Sequence, residues 1–218
     1  MCLLAARRQT YAETYIGLVE AGVGLIPAGG GTKEMLLRAV DAAAALAPPD
    51  PRDPPSRFAQ SAEMLAALRR TLETIAMANV STSAVEARAL GLMGASDRIT
   101  LNRERLLLDA KAQAAALAEA GYAAPRPRTI AAPGLGALGA MEMGIFMMGE
   151  AGYASEHDQK VAKWAAYILA GGRVTAGSPA SEQYLLDLER EAFLSLCGER
   201  KTQERIAFTL KTGKPLRN

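Results

Sequence analysis

From Ala59 onward the chain is a run of segments with apolar residues at helical spacing, most of them closed by glycine or proline, and this punctuation constrains the fold more than any other feature. Met64, Leu65, Leu68, Leu72, Ile75 and Ala76 predict an amphipathic helix over 59–77, because residues three and four apart share one helix face. Ser81 is placed as the cap of a shorter helix ending at Gly91, and Asn102 as the cap of a long helix over 103–120 stopped by Gly121. Beyond Thr129, helical segments are expected at about 138–149, 157–169, 181–196 and 201–211, with Gly171-Gly172 and Ser178-Pro179 as turns. Strand signals are sparse. Tyr11 to Ile26 reads as short extended pieces and turns, and 96–101 as one more. The expected class is α/β turning mostly α.

The first part of the chain is less regular. Pro27-Ala28-Gly29-Gly30-Gly31-Thr32 is a glycine-rich turn, with Thr32 placed as the N-cap of a helix over 33–46. Five prolines lie between Pro48 and Pro55, and proline removes amide donors and fixes φ, so that stretch must be a loop. Two regions are expected: a core over 1–124, with the proline loop at 47–56 inserted, and a helical region over 125–218. The apolar start, Leu3 to Ala6, reads as the interior of an element that began earlier.

Composition excludes several classes. The formal charge of +2 across 218 residues carries no basic stripe, and aromatics are 5%, so a nucleic-acid footprint is missing. The most apolar stretch, Ala140 to Met148, contains Glu142 and is too short to span a bilayer. Cys2 and Cys197 match neither a zinc spacing nor a disulfide framework, which fits a reduced, cytoplasmic chain.

One stretch carries chemistry: Glu20-Ala21-Gly22-Val23-Gly24-Leu25-Ile26-Pro27-Ala28-Gly29-Gly30-Gly31-Thr32. Alone, Glu20 reads as a solvated turn residue. The composite of Glu20, Gly24, Pro27, Gly30, Gly31 and Thr32 resembles the crotonase superfamily pattern, a Glu followed by Gly, an apolar-Pro pair and a glycine-rich turn ending in Thr. The chemistry needs a carboxyl group at the wall of an apolar pocket, where desolvation disfavours its charge and lets it hold or deliver a proton. It also needs glycines that let a thioester approach the backbone.

The likeness extends further. Val80-Ser81-Thr82-Ser83-Ala84-Val85-Glu86-Ala87-Arg88-Ala89-Leu90-Gly91 looks like the crotonase stretch with Ser-Ala-Glu-Ala and a following Leu-Gly, and residues 186–193 and 201–206 resemble the family's C-terminal helices. The ending 211–218 resembles long bacterial 3-hydroxyacyl-CoA dehydrogenases whose NAD-binding part comes first and whose enoyl-CoA hydratase part comes last. The resemblance implies a partial crotonase-like fold with a large C-terminal helical lobe, and a role in fatty-acid β-oxidation. It implies Glu20 as the glutamate that exchanges a proton at the α-carbon, and Gly24, Pro27, Gly29 and Gly30 as residues beside an acyl-CoA substrate. In the family the other glutamate and both oxyanion-hole amides precede this point. The other glutamate would fall immediately before Met1, so the chain is expected to be a half-site that is inactive alone. No cofactor is expected here; NAD would belong to the preceding half. Self-association or docking through the C-terminal helices is a second expectation, and an enoyl-CoA isomerase a third.

Other motifs are weaker. Gly134-Leu135-Gly136-Ala137-Leu138-Gly139 matches GxGxxG but lacks the βαβ context of a dinucleotide site. Glycines at Gly30-Gly31, where a P-loop needs Lys and Ser or Thr, end a phosphate reading. His157, the sole histidine, is expected to cap or start a helix, since one histidine cannot make a metal site. Met141, Met143, Met147 and Met148 are expected as helix packing. Arg7, Arg8 and the charges from Lys211 to Arg217 are expected to be solvated.

Overall fold

The computed structural model describes residues 2–218, the side chain of Cys2 excepted. In chain order it places β1 (Gln9–Tyr11), α1 (Gly31–Leu46), α2 (Pro55–Ala59), α3 (Ala62–Ala76), α4 (Ala84–Ala89), β2 (Arg98–Thr100) and α5 (Leu106–Glu119). There follow β3 (Thr129–Ala131), α6 (Gly134–Glu150), α7 (Glu156–Leu169), β4 (Pro179–Ser181), α8 (Glu182–Cys197) and α9 (Arg200–Thr212). Helix accounts for 58% of the residues, and among the described residues every strand has three, so the chain is an α-rich α/β protein. Among the described residues no helix is long and apolar enough to cross a membrane.

The contacts form two compact units that interleave along the sequence: 1–17 with 80–127, and 18–79 with 128–218. The division expected from the sequence, 1–124 and 125–218, is contiguous, whereas these units alternate along the chain.

In the first unit β1 and β2 pair in parallel, Gln9 opposite Arg98 and Tyr11 opposite Thr100. A buried ion pair braces the approach to this sheet. Arg8 Nη1 lies 2.6 Å from Asp97 Oδ2, the Arg8 amide donates to Asp97 Oδ1 at 2.9 Å, and the Gly94 amide donates to Asp97 Oδ2 at 2.7 Å. Arg8 is therefore not solvated as expected: its Nη1 and its amide donate to a buried carboxylate, and its guanidinium also donates to the Leu92 and Leu3 carbonyls. Ser83, not Ser81, caps α4, accepting from the Glu86 amide. Ser81 is buried and bonds instead to the Thr14 carbonyl and the Ile16 amide. On α5 only Gln113 is buried, so Leu107 and Leu108 stand exposed.

The second unit holds the larger core. Helix α3 buries Met64, Leu68, Leu72 and Ile75, one stripe at spacings of four, four and three, and Ser61 caps it by accepting from the Met64 amide at 3.1 Å. It packs against α1 and α7, which contribute Leu36, Ala43, Ala165 and Ile168, all fully buried. Alanines on α1 and α7 let the helix backbones approach closely. Strands β3 and β4 pair antiparallel, Ile130 opposite Ala180. Helix α7 begins with a capping box, Ser155 and Asp158 satisfying each other's backbone amides.

Candidate functional site

Glu20 opens a short 3₁₀ turn, Glu20–Val23. The Leu25 amide donates to the Glu20 carbonyl at 3.0 Å and the Gly24 amide to the Ala21 carbonyl at 3.1 Å. Gly24 closes the turn at φ 80°, where a side chain is strained, and a Cβ there would lie 2.9 Å from both His157 Nε2 and Thr202 Oγ1. Glycine is required here by an interior contact. The Glu20 residue is half-buried, yet its Oε2 is buried without a hydrogen-bond partner. Buried carboxylate oxygens are nearly always paired, so this oxygen calls for an explanation.

Ile26 and Pro27 are buried and lead into the glycine turn. Thr32 is not the N-cap of α1 as expected: Gly30 occupies that position, and Thr32 sits inside the helix with its hydroxyl donating to the Pro27 carbonyl at 3.2 Å. The capping is done from elsewhere. Glu189 of α8, fully buried, accepts from the Gly30 amide at 2.8 Å and the Lys33 amide at 2.6 Å. A carboxylate at a helix N-terminus meets free N–H groups and the positive end of the helix dipole. Burial pushes the Glu189 carboxyl above its usual range, against the amides of Lys33 and Gly30 and the Lys33 charge. Lys33 is buried too; desolvation opposes its charge, but Glu182, 2.7 Å from Nζ, and Glu34 raise its ammonium above the ordinary value.

The proposed substrate glycines thus differ from one another. Gly29 is exposed with open space where a Cβ would stand. Gly30 is buried, and its amide is engaged by Glu189. Gly24 faces α7 and α9. The structure places Glu20 and Gly29 on two separate turns, joined by residues 25–27, and turns Gly24 and the Gly30 amide inward.

His157 is the second residue of α7 and starts it, as expected, although Ser155 is its cap. What the sequence does not reveal is its partner: Nε2 lies 2.8 Å from Thr202 Oγ1 of α9, which in turn lies 2.9 Å from the Gly24 carbonyl. Burial, then the nearby Arg205 charge, hold the His157 imidazole below its ordinary value. Arg205 is itself buried, 2.7 Å from Asp158 Oδ1, and its Nε donates to the Asn218 side chain at 2.8 Å. Asp158 is desolvated, yet Arg205 and the Ser155 bonds bring its carboxyl below the usual range. Arg217, expected to be solvated, lies 3.6 Å from Asp158 Oδ2 while staying largely exposed.

A cleft of about 600 Å³ lies among α3, α6 and α7, with Met77, Met141, Met143, Met147 and Met148 in its lining. Met141 is core packing as expected; Met143, Met147 and Met148 are exposed, so they do not fill the interior. The GxGxxG residues open α6 rather than a βαβ loop, and Gly134 is fixed by packing, a Cβ there falling 2.4 Å from the Ala176 amide nitrogen. Among the described residues no three His, Cys, Asp or Glu side chains gather as a metal site.

No family profile matches the chain, and no solved structure matches it. Among curated proteins, the chain is 44% identical over 217 residues to the "Probable 3-hydroxyacyl-CoA dehydrogenase" of Bacillus subtilis (strain 168). The match covers 100% of this chain and 25% of that protein, so the chain spans about a quarter of the relative's length.

Proposed function

We propose that this chain carries the later part of a crotonase-type enoyl-CoA hydratase site within a bifunctional fatty-acid β-oxidation protein. The observation that carries the reading is Glu20: a carboxylate at the head of the Glu-Gly-Pro-Gly-Gly-Thr pattern with one oxygen buried and unpaired. Selection for stability alone would remove such an oxygen; a proton-transfer carboxyl set in a desolvated wall is a reason to keep one. The name of the Bacillus subtilis relative is in keeping with a β-oxidation setting.

In this reading, water adds across the 2,3 double bond of a trans-2-enoyl-CoA. The oxygen of water bonds to C3, and Glu20 delivers the proton that bonds to C2. A second carboxylate, which takes the other proton role, and the amides that stabilise the thioester oxyanion belong to sequence preceding Glu20 in crotonases. The acyl-CoA is the ligand; NAD would bind a different part of the longer protein, in the cytoplasm. Gly29, exposed with open space above its Cα, stands where the substrate would pass, and buried Pro27 would back that turn.

A docking role is the second reading. Met143, Phe146 and Met147 leave an apolar face of α6 in water, which favours an interaction surface, self-association included.

The test is crotonyl-CoA hydration by the whole protein, followed as loss of the enoyl-thioester absorbance. Glu20→Gln should lower turnover by roughly 10²–10⁴-fold, the range for removal of a general acid or base. Unchanged turnover would overturn the assignment and leave the docking reading.

A further inference from the structure

Resting on the assignment of Glu20 above, we infer that Thr202, oriented by His157, is a positioning residue: its hydroxyl grips the Gly24 carbonyl and so fixes the turn that aims the Glu20 carboxylate. The geometry is a three-part chain in the interior. His157 Nε2 lies 2.8 Å from Thr202 Oγ1, and Thr202 Oγ1 lies 2.9 Å from the Gly24 oxygen. His157 and Thr202 are both buried, Thr202 fully.

Counting protons gives each bond a direction. The Gly24 carbonyl can only accept, so the single hydroxyl proton of Thr202 goes to it. Thr202 Oγ1 must then accept from His157, which places a proton on Nε2. That direction holds whether the ring is neutral or charged. The histidine therefore acts as a fixed donor that orients the hydroxyl, not as a base.

The turn depends on this grip. The hydrogen bonds that the structure gives to residues 20–25 are otherwise local, Gly22 to Val19, Gly24 to Ala21 and Leu25 to Glu20. Thr202, 178 residues away, supplies the long-range anchor. Gly24 at φ 80° fits the same place, since any side chain there would strike Thr202 and His157. The anchors are themselves braced: Arg205, one turn along α9 from Thr202, pairs with Asp158, next to His157 on α7. A shift of about 1 Å in a reacting group can cost on the order of 100-fold in rate, so a hydroxyl outside the reacting groups can control turnover.

The experiment compares Thr202→Val, which keeps the shape and removes the hydroxyl, with Thr202→Ser, which keeps the hydroxyl. Both are made in the whole protein beside Glu20→Gln, and kcat and KM for crotonyl-CoA are measured separately. Thr202→Val should lower kcat by about 10- to 100-fold with KM within about twofold, and Thr202→Ser should recover at least about half of kcat. Equal losses in the two variants, or an unchanged kcat in Thr202→Val while Glu20→Gln is impaired, would overturn the positioning role alone. An unimpaired Glu20→Gln would overturn the reading of Glu20 itself. If Thr202→Val does not fold, His157→Leu and His157→Gln make the same comparison one bond further out. Gln retains a donor and Leu does not, so a kcat loss confined to Leu supports the inference and equal losses defeat it.

Discussion

Glu20 and Glu189 are carboxylates tied to the same short stretch of backbone, and the fold treats them in opposite ways. At the α1 end, Glu189 is fully buried and both its oxygens accept backbone amides. At the turn end, Glu20 is half-buried and one oxygen has no partner. The first arrangement satisfies the free N–H groups of a helix start. The second leaves a polar atom under-satisfied about a dozen residues earlier. The difference separates scaffold from turn: Glu189 is fully satisfied at the start of α1, and Glu20 keeps one buried oxygen without a hydrogen-bond partner.

The largest test of that contrast is thermodynamic. Glu189→Ala strands the Gly30 and Lys33 amides and leaves a cavity, so it should cost about 3 kcal/mol in denaturant unfolding. Glu20→Met, by contrast, removes an unpaired buried oxygen and should leave stability unchanged or raise it by about 1 kcal/mol. Equal losses at the two sites would break the comparison. A second pair sharpens it along the loop. Gly24→Ala, at φ 80° and against His157 and Thr202, should cost about 2 kcal/mol, whereas Gly29→Ala, with open space around it, should stay within about 0.5 kcal/mol.

The smallest effect is the pH response of the interior anchor. Burial, Arg205 and Lys201 lower the His157 imidazole, while Glu199 and Asp158 oppose them. The folded pKa thus lies below the ordinary value of 6.5. Between the two the unfolded chain binds more protons, so this stabilisation is complete above pH 6.5 and is lost as pH falls toward the folded value. The melting temperature should hold from pH 8 to about 7 and decline below about 6.5, with a shallower decline in His157→Gln. Parallel profiles would show that His157 is not the group responsible.

Much of the helix pattern was legible because apolar spacing is local. The stripe Met64, Leu68, Leu72, Ile75 and the stops at Gly91 and Gly121 follow from residues a few positions apart. The polar interior was not. Arg8 looks like half of a solvated pair, and nothing nearby in sequence announces Asp97, 89 residues on. Glu189 sits in an ordinary acidic helix, and its role depends on an amide pair 156 to 159 residues back. Thr32 had the right chemistry for a cap and lost the position to that distant carboxylate. His157 could be placed at a helix start by its neighbours, but its contact with Thr202 could not. Glu20 was singled out by its motif; the unpaired oxygen is what the three-dimensional structure adds.

The interleaving of the two units has a consequence in time. Strand β1 cannot pair until residues 98–100 exist, and the helices of 18–79 cannot finish their core until α7 and α8 have been made. Synthesis from the N-terminus therefore postpones each assembly until its later partner has emerged, β2 for the first and α7 with α8 for the second. A parallel pairing across that separation is slow to close. Until α7 and α8 are made, the apolar faces of α1 and α3 stay uncovered, and transiently exposed apolar surface of this kind is open to association with other chains.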